Sequence, residues 1–114
     1  MDEDLKFGHN WNNKLNCDCF TTLRLHNPKR YFVGAVKNIK LNEVFKGKAT
    51  ILCVVRFRLD QISEHVARLD TGYSAEDCKK MIRTMYKDKP INWNTRLLDF
   101  PVLMYLKPEQ QKLF

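Results

Sequence analysis

The sequence predicts an α+β domain: a small antiparallel β-barrel carrying two to three short helices. Three observations predict it. Ala49, Ile51, Cys53, Val55, Phe57 and Leu59 alternate with Thr50, Leu52, Val54, Arg56 and Arg58, the period of a strand, in a run long enough to bend around a barrel. From Ile62 the apolar period changes to that of a helix, with Ile62, Val66 and Leu69 on one face. Residues 96–106 then return to a strand made irregular by Pro101. Strands first, a helical pair late and a closing strand give an antiparallel sheet, and curling it into a barrel removes exposed edges.

The elements follow in order. Leu5 and Phe7 form a short strand ended by Gly8-His9-Asn10, after which residues 10–15 make a helical turn with Trp11 and Leu15 on one side. Residues 20–25 alternate Phe20, Thr22 and Arg24 with Thr21, Leu23 and Leu25 as a second strand. Asn27-Pro28-Lys29-Arg30 is a turn, because Pro28 fixes its own backbone and biases Asn27 toward an extended form. Residues 31–41 read as a strand pair interrupted at Gly34, or as a lead-in and one strand, and Lys46-Gly47-Lys48 makes the next turn. Gly72 stops the first late helix in a left-handed position, and Ser74 caps the next, with Asp77 as a short capping-box acid. Cys78, Met81, Ile82, Met85 and Tyr86 give that helix an apolar core stripe. One domain is expected over residues 1–114, with residues 107–114 a mobile tail.

Twenty Lys and Arg against thirteen Asp and Glu give a net charge of +7, a balance that favours polyanionic partners. The first residues, Met1-Asp2-Glu3-Asp4, lack the basic and then apolar regions of a secretory signal, so a cytoplasmic location is expected. No apolar run approaches the roughly 20 residues that span a bilayer, which sets membrane insertion aside. Cys17, Cys19, Cys53 and Cys78 show no zinc-finger spacing, and the one residue between Cys17 and Cys19 is too few for an unstrained disulfide. No metal and no cofactor is expected.

The stretch Cys17-Asp18-Cys19-Phe20-Thr21-Thr22-Leu23-Arg24-Leu25-His26-Asn27-Pro28-Lys29-Arg30 sets thiols, hydroxyls and an arginine on a strand that ends in a basic turn. On one strand Thr22 and Arg24 point to the same side, and a guanidinium suits a planar acceptor pair such as a phosphate or a base edge. Lys14, Lys29, Arg30, Lys37, Lys40, Arg56 and Arg58 come from three separate early segments, and a barrel brings several of them together beside Thr22. Tyr31, Trp11 and Trp93 are candidates to stack a base. Asp70 suits a general base or a ribose hydroxyl, and equally a carboxylate that satisfies the turn at Thr71-Gly72. Cys19 is a candidate thiolate if a positive charge or base lies near it.

Thr22-Leu23-Arg24 after a short helix, Tyr31-Phe32-Val33-Gly34 leading into a barrel strand, and Ile62-Ser63-Glu64-His65-Val66-Ala67-Arg68-Leu69-Asp70 followed by Ser74 and a helix ending in Met85-Tyr86 together resemble the ASCH domains of the PUA-like fold. The likeness runs from Phe7 to about Leu106. It implies an RNA- or nucleotide-associated module with a cleft between barrel and helices. One branch, the small bacterial acetylcytidine amidohydrolases, is similar in length and order of elements. Its lysine and threonine stand in a Lys-x-x-Thr-x-Arg pattern, joined by an acidic residue. Thr22 falls on the threonine, Arg24 on the arginine and Asp70 near the acid, while Cys19 stands at the lysine position.

Two readings follow. The first is an RNA- or nucleotide-binding module whose basic cleft uses Arg24, Thr22, Lys14, Lys29, Arg30 and Tyr31. The second is a small hydrolase of a modified nucleoside or of RNA, with Thr22, Asp70 and Cys19 as catalytic residues, Cys19 or Lys14 replacing the family lysine. An accessory domain without a ligand is a third.

Overall fold

In the computed structural model, which describes residues 2–107, six strands form one mixed sheet and two α-helices cover part of it. The strands are β1 (Glu3–Phe7), β2 (Cys19–Thr21), β3 (Arg24–Leu25), β4 (Val36–Leu41), β5 (Val44–Arg58) and β6 (Leu97–Tyr105); the helices are α1 (Glu64–Thr71) and α2 (Ala75–Met85). A kinked 3-10 segment, Trp11–Asn16, joins β1 to β2. The sheet order is β1-β4-β5-β6-β2, with β3 also paired to β6. The expected final tail lies outside the described residues beyond Lys107, whose ammonium reaches Asp18 at 3.1 Å.

The α+β class holds, but the sheet does not close into a barrel. Closure needs a ladder between the two outer strands, β1 and β2, and β1 pairs only with β4, in parallel. The outward edge of β1 is satisfied by side chains instead. Arg24 Nη2 donates to the Lys6 carbonyl at 2.8 Å and Arg30 Nη2 to the Asp4 carbonyl at 3.3 Å. Two arginines thus occupy the place of a neighbouring strand and protect the edge. The rings of Phe7 and Phe20 meet edge to face across the gap, centroids 6.2 Å apart.

The expected strand over residues 20–25 is broken in two. β2 pairs with one end of β6 (Thr21↔Val102) and β3 with the other (Arg24↔Asp99), so Thr22 and Leu23 fall opposite Pro101 and Phe100. Proline has no N–H to offer a ladder, and only the Pro101 carbonyl is used, accepting from Thr22 N at 3.4 Å.

The hairpin turn falls at Asn42-Glu43, both with left-handed φ (49° and 70°), and not at Lys46-Gly47-Lys48. Lys46 and Gly47 lie within β5, beside a register shift opposite Ile39/Lys40. A Cβ on Gly47 would sit 3.2 Å from the Tyr105 ring, so the glycine admits that ring. A second register shift, between Ile51 and Cys53, resets the alternation of β5. Ala49 and Ile51 are buried before it, while Cys53 and Val55 are exposed after it.

Gly72 ends α1 with φ 81°, and Ser63 and Ser74 cap α1 and α2 by accepting from Val66 N and Asp77 N. The buried face of α1 differs from the expected one: Ala67, Asp70 and Thr71 are inside, and Leu69 is exposed. On α2, Cys78 and Ile82 are core, whereas Met85 is exposed. The core falls into two clusters. One, around Leu5, Ile39, Ile51 and Leu103, fills the β1 side; the other, around Leu59, Ala67, Cys78 and Leu98, lies under the helices.

Candidate functional site

A pocket of about 90 Å³ opens on the seam between the two core clusters. Phe7 from the first cluster and Leu23, Cys78 and Ile82 from the second form apolar wall, with Trp11, Met81 and Met85 added. Its polar side chains are Lys6, His9, Lys14, Thr22, Arg24, Asp70 and Thr71. A mostly apolar wall with a few convergent polar groups is the form small-ligand sites take.

Lys14 reaches this pocket because of the 3-10 segment. Asn12 and Asn13 take left-handed backbone angles (φ 57° and 52°), a conformation asparagine tolerates, and Asn10 Oδ1 accepts from Leu15 N at 2.9 Å. The kink turns Lys14 and Leu15 inward while Trp11 lines the pocket, so Trp11 and Leu15 do not share a face. Asn12 Nδ2 donates to the Arg68 carbonyl at 3.2 Å and pins the segment to the end of α1.

There Lys14 Nζ meets Asp70 Oδ1 at 2.9 Å, both side chains only 6% exposed. Thr21 Oγ1 donates to the same carboxylate oxygen at 2.9 Å. Burial pulls the Lys14 ammonium below the usual lysine range, and the Asp70 carboxylate opposes that pull. Thr22 is buried beside the pair, and its Oγ1 accepts from Arg24 Nε at 2.9 Å.

Arg24 is held by neutral acceptors alone, Thr22 Oγ1 and the Lys6 carbonyl, and its guanidinium carbon lies 4.7 Å from the Phe7 ring centroid. Among the described residues it forms no ion pair. Burial lowers its proton affinity, yet an arginine stays charged in any ordinary solvent. The pocket therefore has a partly enclosed, uncompensated positive charge in its wall.

The structure brings Lys14, Thr22, Arg24 and Asp70 together. Cys19 does not line that pocket: its thiol is exposed and lines a neighbouring groove with Cys17, Thr21, Leu69 and Lys14, the one residue the two share. Arg30 and Tyr31 border a second depression that shares Arg24 with the first, and Lys29 is exposed on the turn beyond it. The expected gathering of the other early cations does not occur. Lys37 pairs with Glu3, Lys40 with Asp4, Arg56 with Asp99 and Arg58 with Asp60. Trp93 packs against Tyr86 over the helical core, away from the pocket, with centroids 6.2 Å apart.

Two participants were missed in the sequence. Thr21 shares its strand face with Leu23 and Leu25 in the alternation, and its role depends on Asp70 at the end of α1 lying against that face of β2. Asp99 is fully buried on β6, where it accepts from Asn27 N at 2.8 Å and from Arg56 Nε at 3.2 Å, and pairs with His26 Nδ1 at 2.9 Å. Its signal was legible: a lone acid between Leu98 and Phe100 in an apolar strand.

Among the described residues no three His, Cys, Asp or Glu side chains gather as a metal-binding group, and no helix is long and apolar enough to cross a membrane. No family model matches the chain, and no curated protein or solved structure matches it significantly.

Proposed function

We propose that the protein is an RNA- or nucleotide-binding module whose ligand places a base in the pocket bordered by Thr22, Arg24 and the Lys14–Asp70 pair. The observation that carries this reading is Arg24, an enclosed cation with hydrogen-bonded but uncharged partners. An anionic or electron-rich ligand compensates that charge. Trp11 offers aromatic surface in the same pocket, and bases stack on such faces. The resemblance to ASCH domains points the same way. Single-stranded RNA is expected to be retained at 50 mM salt and released as salt rises. Arg24→Ala should abolish retention and the distant Lys80→Ala should leave it. Absence of binding to any RNA or nucleotide at 50 mM salt would remove this reading.

A second reading is hydrolysis of a modified nucleoside, and Lys14 favours it. The lysine that the resemblance lacks at Cys19 has a counterpart in Lys14, buried beside Asp70 in the pocket that Thr22 lines. A lysine pulled toward neutrality suits proton transfer, and a threonine hydroxyl suits nucleophilic attack. Binding ranks first because Lys14 is tied to Asp70 and the Thr22 oxygen is engaged by Arg24. Incubation with N4-acetylcytidine tests the alternative: deacetylation lost in Lys14→Met, Thr22→Ala and Asp70→Asn would promote it above binding. Turnover surviving these changes would exclude the assigned site.

A further inference from the structure

Behind Arg24 lies the second depression, of about 310 Å³, and its lining differs in kind from the first. Arg24, Arg30, Lys89 and Arg96 supply four cationic side chains, and no carboxylate lines it. They come from four separate places in the chain: β3, the turn after it, the segment following α2, and the approach to β6.

Elsewhere the protein pairs many of its cations. Lys6, Lys14, Lys37, Lys40, Lys48, Arg56, Arg58 and Arg68 each meet an acid within 4 Å. Among the described residues, Arg24, Lys89 and Arg96 meet none. Arg30 is partly committed, with Nε on Glu3 at 2.7 Å. His26 also lines the depression, with Nδ1 held by buried Asp99. Tyr31 and Tyr86 complete the wall, and burial keeps the Tyr31 hydroxyl protonated to higher pH than usual. Three cations without an acid partner, a fourth partly committed, two phenol groups and no carboxylate in the lining make an anion site.

We propose that this depression is a phosphate subsite joined to the base pocket through Arg24, so that the ligand is a nucleotide or an RNA phosphate and not a free nucleoside. The inference rests on the binding reading above for the base, and on the cation cluster alone for the phosphate. Arg24 borders both depressions, and a nucleotide carries its base and phosphate on opposite sides of one sugar. Lys89 and Arg96 are exposed, so they supply charge without holding the core.

The test measures binding of the four ribonucleosides, their 5′- and 3′-monophosphates, a short single-stranded RNA and inorganic phosphate at 50 mM salt. Calorimetry and amide chemical shifts read the wild type and a Lys89→Gln/Arg96→Gln double variant. At least one monophosphate or the RNA should bind about 10-fold or more tighter than the matching nucleoside, because charge-assisted hydrogen bonds to phosphate are stronger than neutral ones. The double variant should lose most of that advantage while binding the nucleoside as before. The 5′, 3′ and RNA arms distinguish a terminal phosphate from a backbone one. If nucleosides bind and phosphate adds nothing, or its advantage survives in the double variant, the subsite is wrong and the base pocket stands. If no nucleoside, nucleotide or RNA binds but inorganic phosphate shifts amides around Arg24 and Arg96 in the wild type only, the subsite stands and the base reading falls. If nothing binds, both fall.

Discussion

Lys14 Nζ and Asp70 Oδ1 lie 2.9 Å apart although 56 residues separate them in the chain. The pair joins the 3-10 segment to the end of α1 inside the protein, with Thr21 as a third member. Removing one charge leaves the other buried and unpaired, which costs about 3–5 kcal/mol. Lys14→Met and Asp70→Leu should each lower stability by that order in urea unfolding. The double variant should lose clearly less than the sum, because the second change removes the orphaned charge. Additive losses would show that the two side chains do not act on each other.

Arg24 holds the open edge of β1, so its loss should be felt in the sheet as well as in ligand binding. Arg24→Met strands the Lys6 carbonyl and the Thr22 hydroxyl, and lost hydrogen bonds to a charged group are worth about 1.5–3 kcal/mol. Urea unfolding should report a loss of this order. Hydrogen exchange should quicken at amides of β1 more than at those of β5. Arg30→Gln should cost less, since Arg30 is more exposed and its carbonyl contact is longer, at 3.3 Å.

Cys78 differs from the other three cysteines in burial. Cys17, Cys19 and Cys53 are exposed and should react rapidly with an aromatic disulfide reagent at pH 8, whereas Cys78 should react only as the protein unfolds. Burial, with the Asp70 carboxylate adding to it, pushes the Cys78 thiol up to about 11 from 9.0. The folded state therefore keeps a proton that the unfolded chain gives up. The stabilisation is complete below about pH 9 and lost as pH rises toward 11, at no more than about 1.4 kcal/mol per unit. Burial raises Tyr31 and Tyr105 in the same sense, and lowers Lys14 in the opposite one. The comparison is consequently wild type against Cys78→Ala, with the wild type losing more stability over this range. Equal pH slopes in the two proteins would contradict it.

Gly72 should tolerate no side chain without cost. Its φ of 81° is left-handed, and an added Cβ would stand 3.2 Å from Asn12 Oδ1. That Asn12 holds the Lys14 segment on α1. Gly72→Ala should lower stability by about 1–2 kcal/mol, the cost of the left-handed region for an L-residue. Because the strain reaches Asn12, shifts of the Lys14 side-chain resonances should accompany the loss. The cap variants Ser63→Ala and Ser74→Ala should each cost about 1 kcal/mol and leave Lys14 unmoved.

Local chemistry determined much of this protein within its sequence. The α+β class, the two late helices, the Gly72 stop and the Ser74 cap follow from apolar period and from side chains acting on their own backbone neighbours. Thr22 and Arg24 were legible as a pair from their spacing on a strand, and it was the resemblance that set Asp70 beside them. Tertiary structure alone decided the rest. Pro101 interrupted the second strand, and the elements lying against its two faces gave Thr21 the Asp70 carboxylate and Thr22 the Arg24 guanidinium. Two register shifts in β5 changed which of its side chains are buried, and arginines on the β1 edge stand where barrel closure would put a strand. The kink at Asn12 and Asn13 put Lys14, and not Cys19, beside Asp70. Each of these turns on a partner distant in the chain, and periodicity carries no information about that partner.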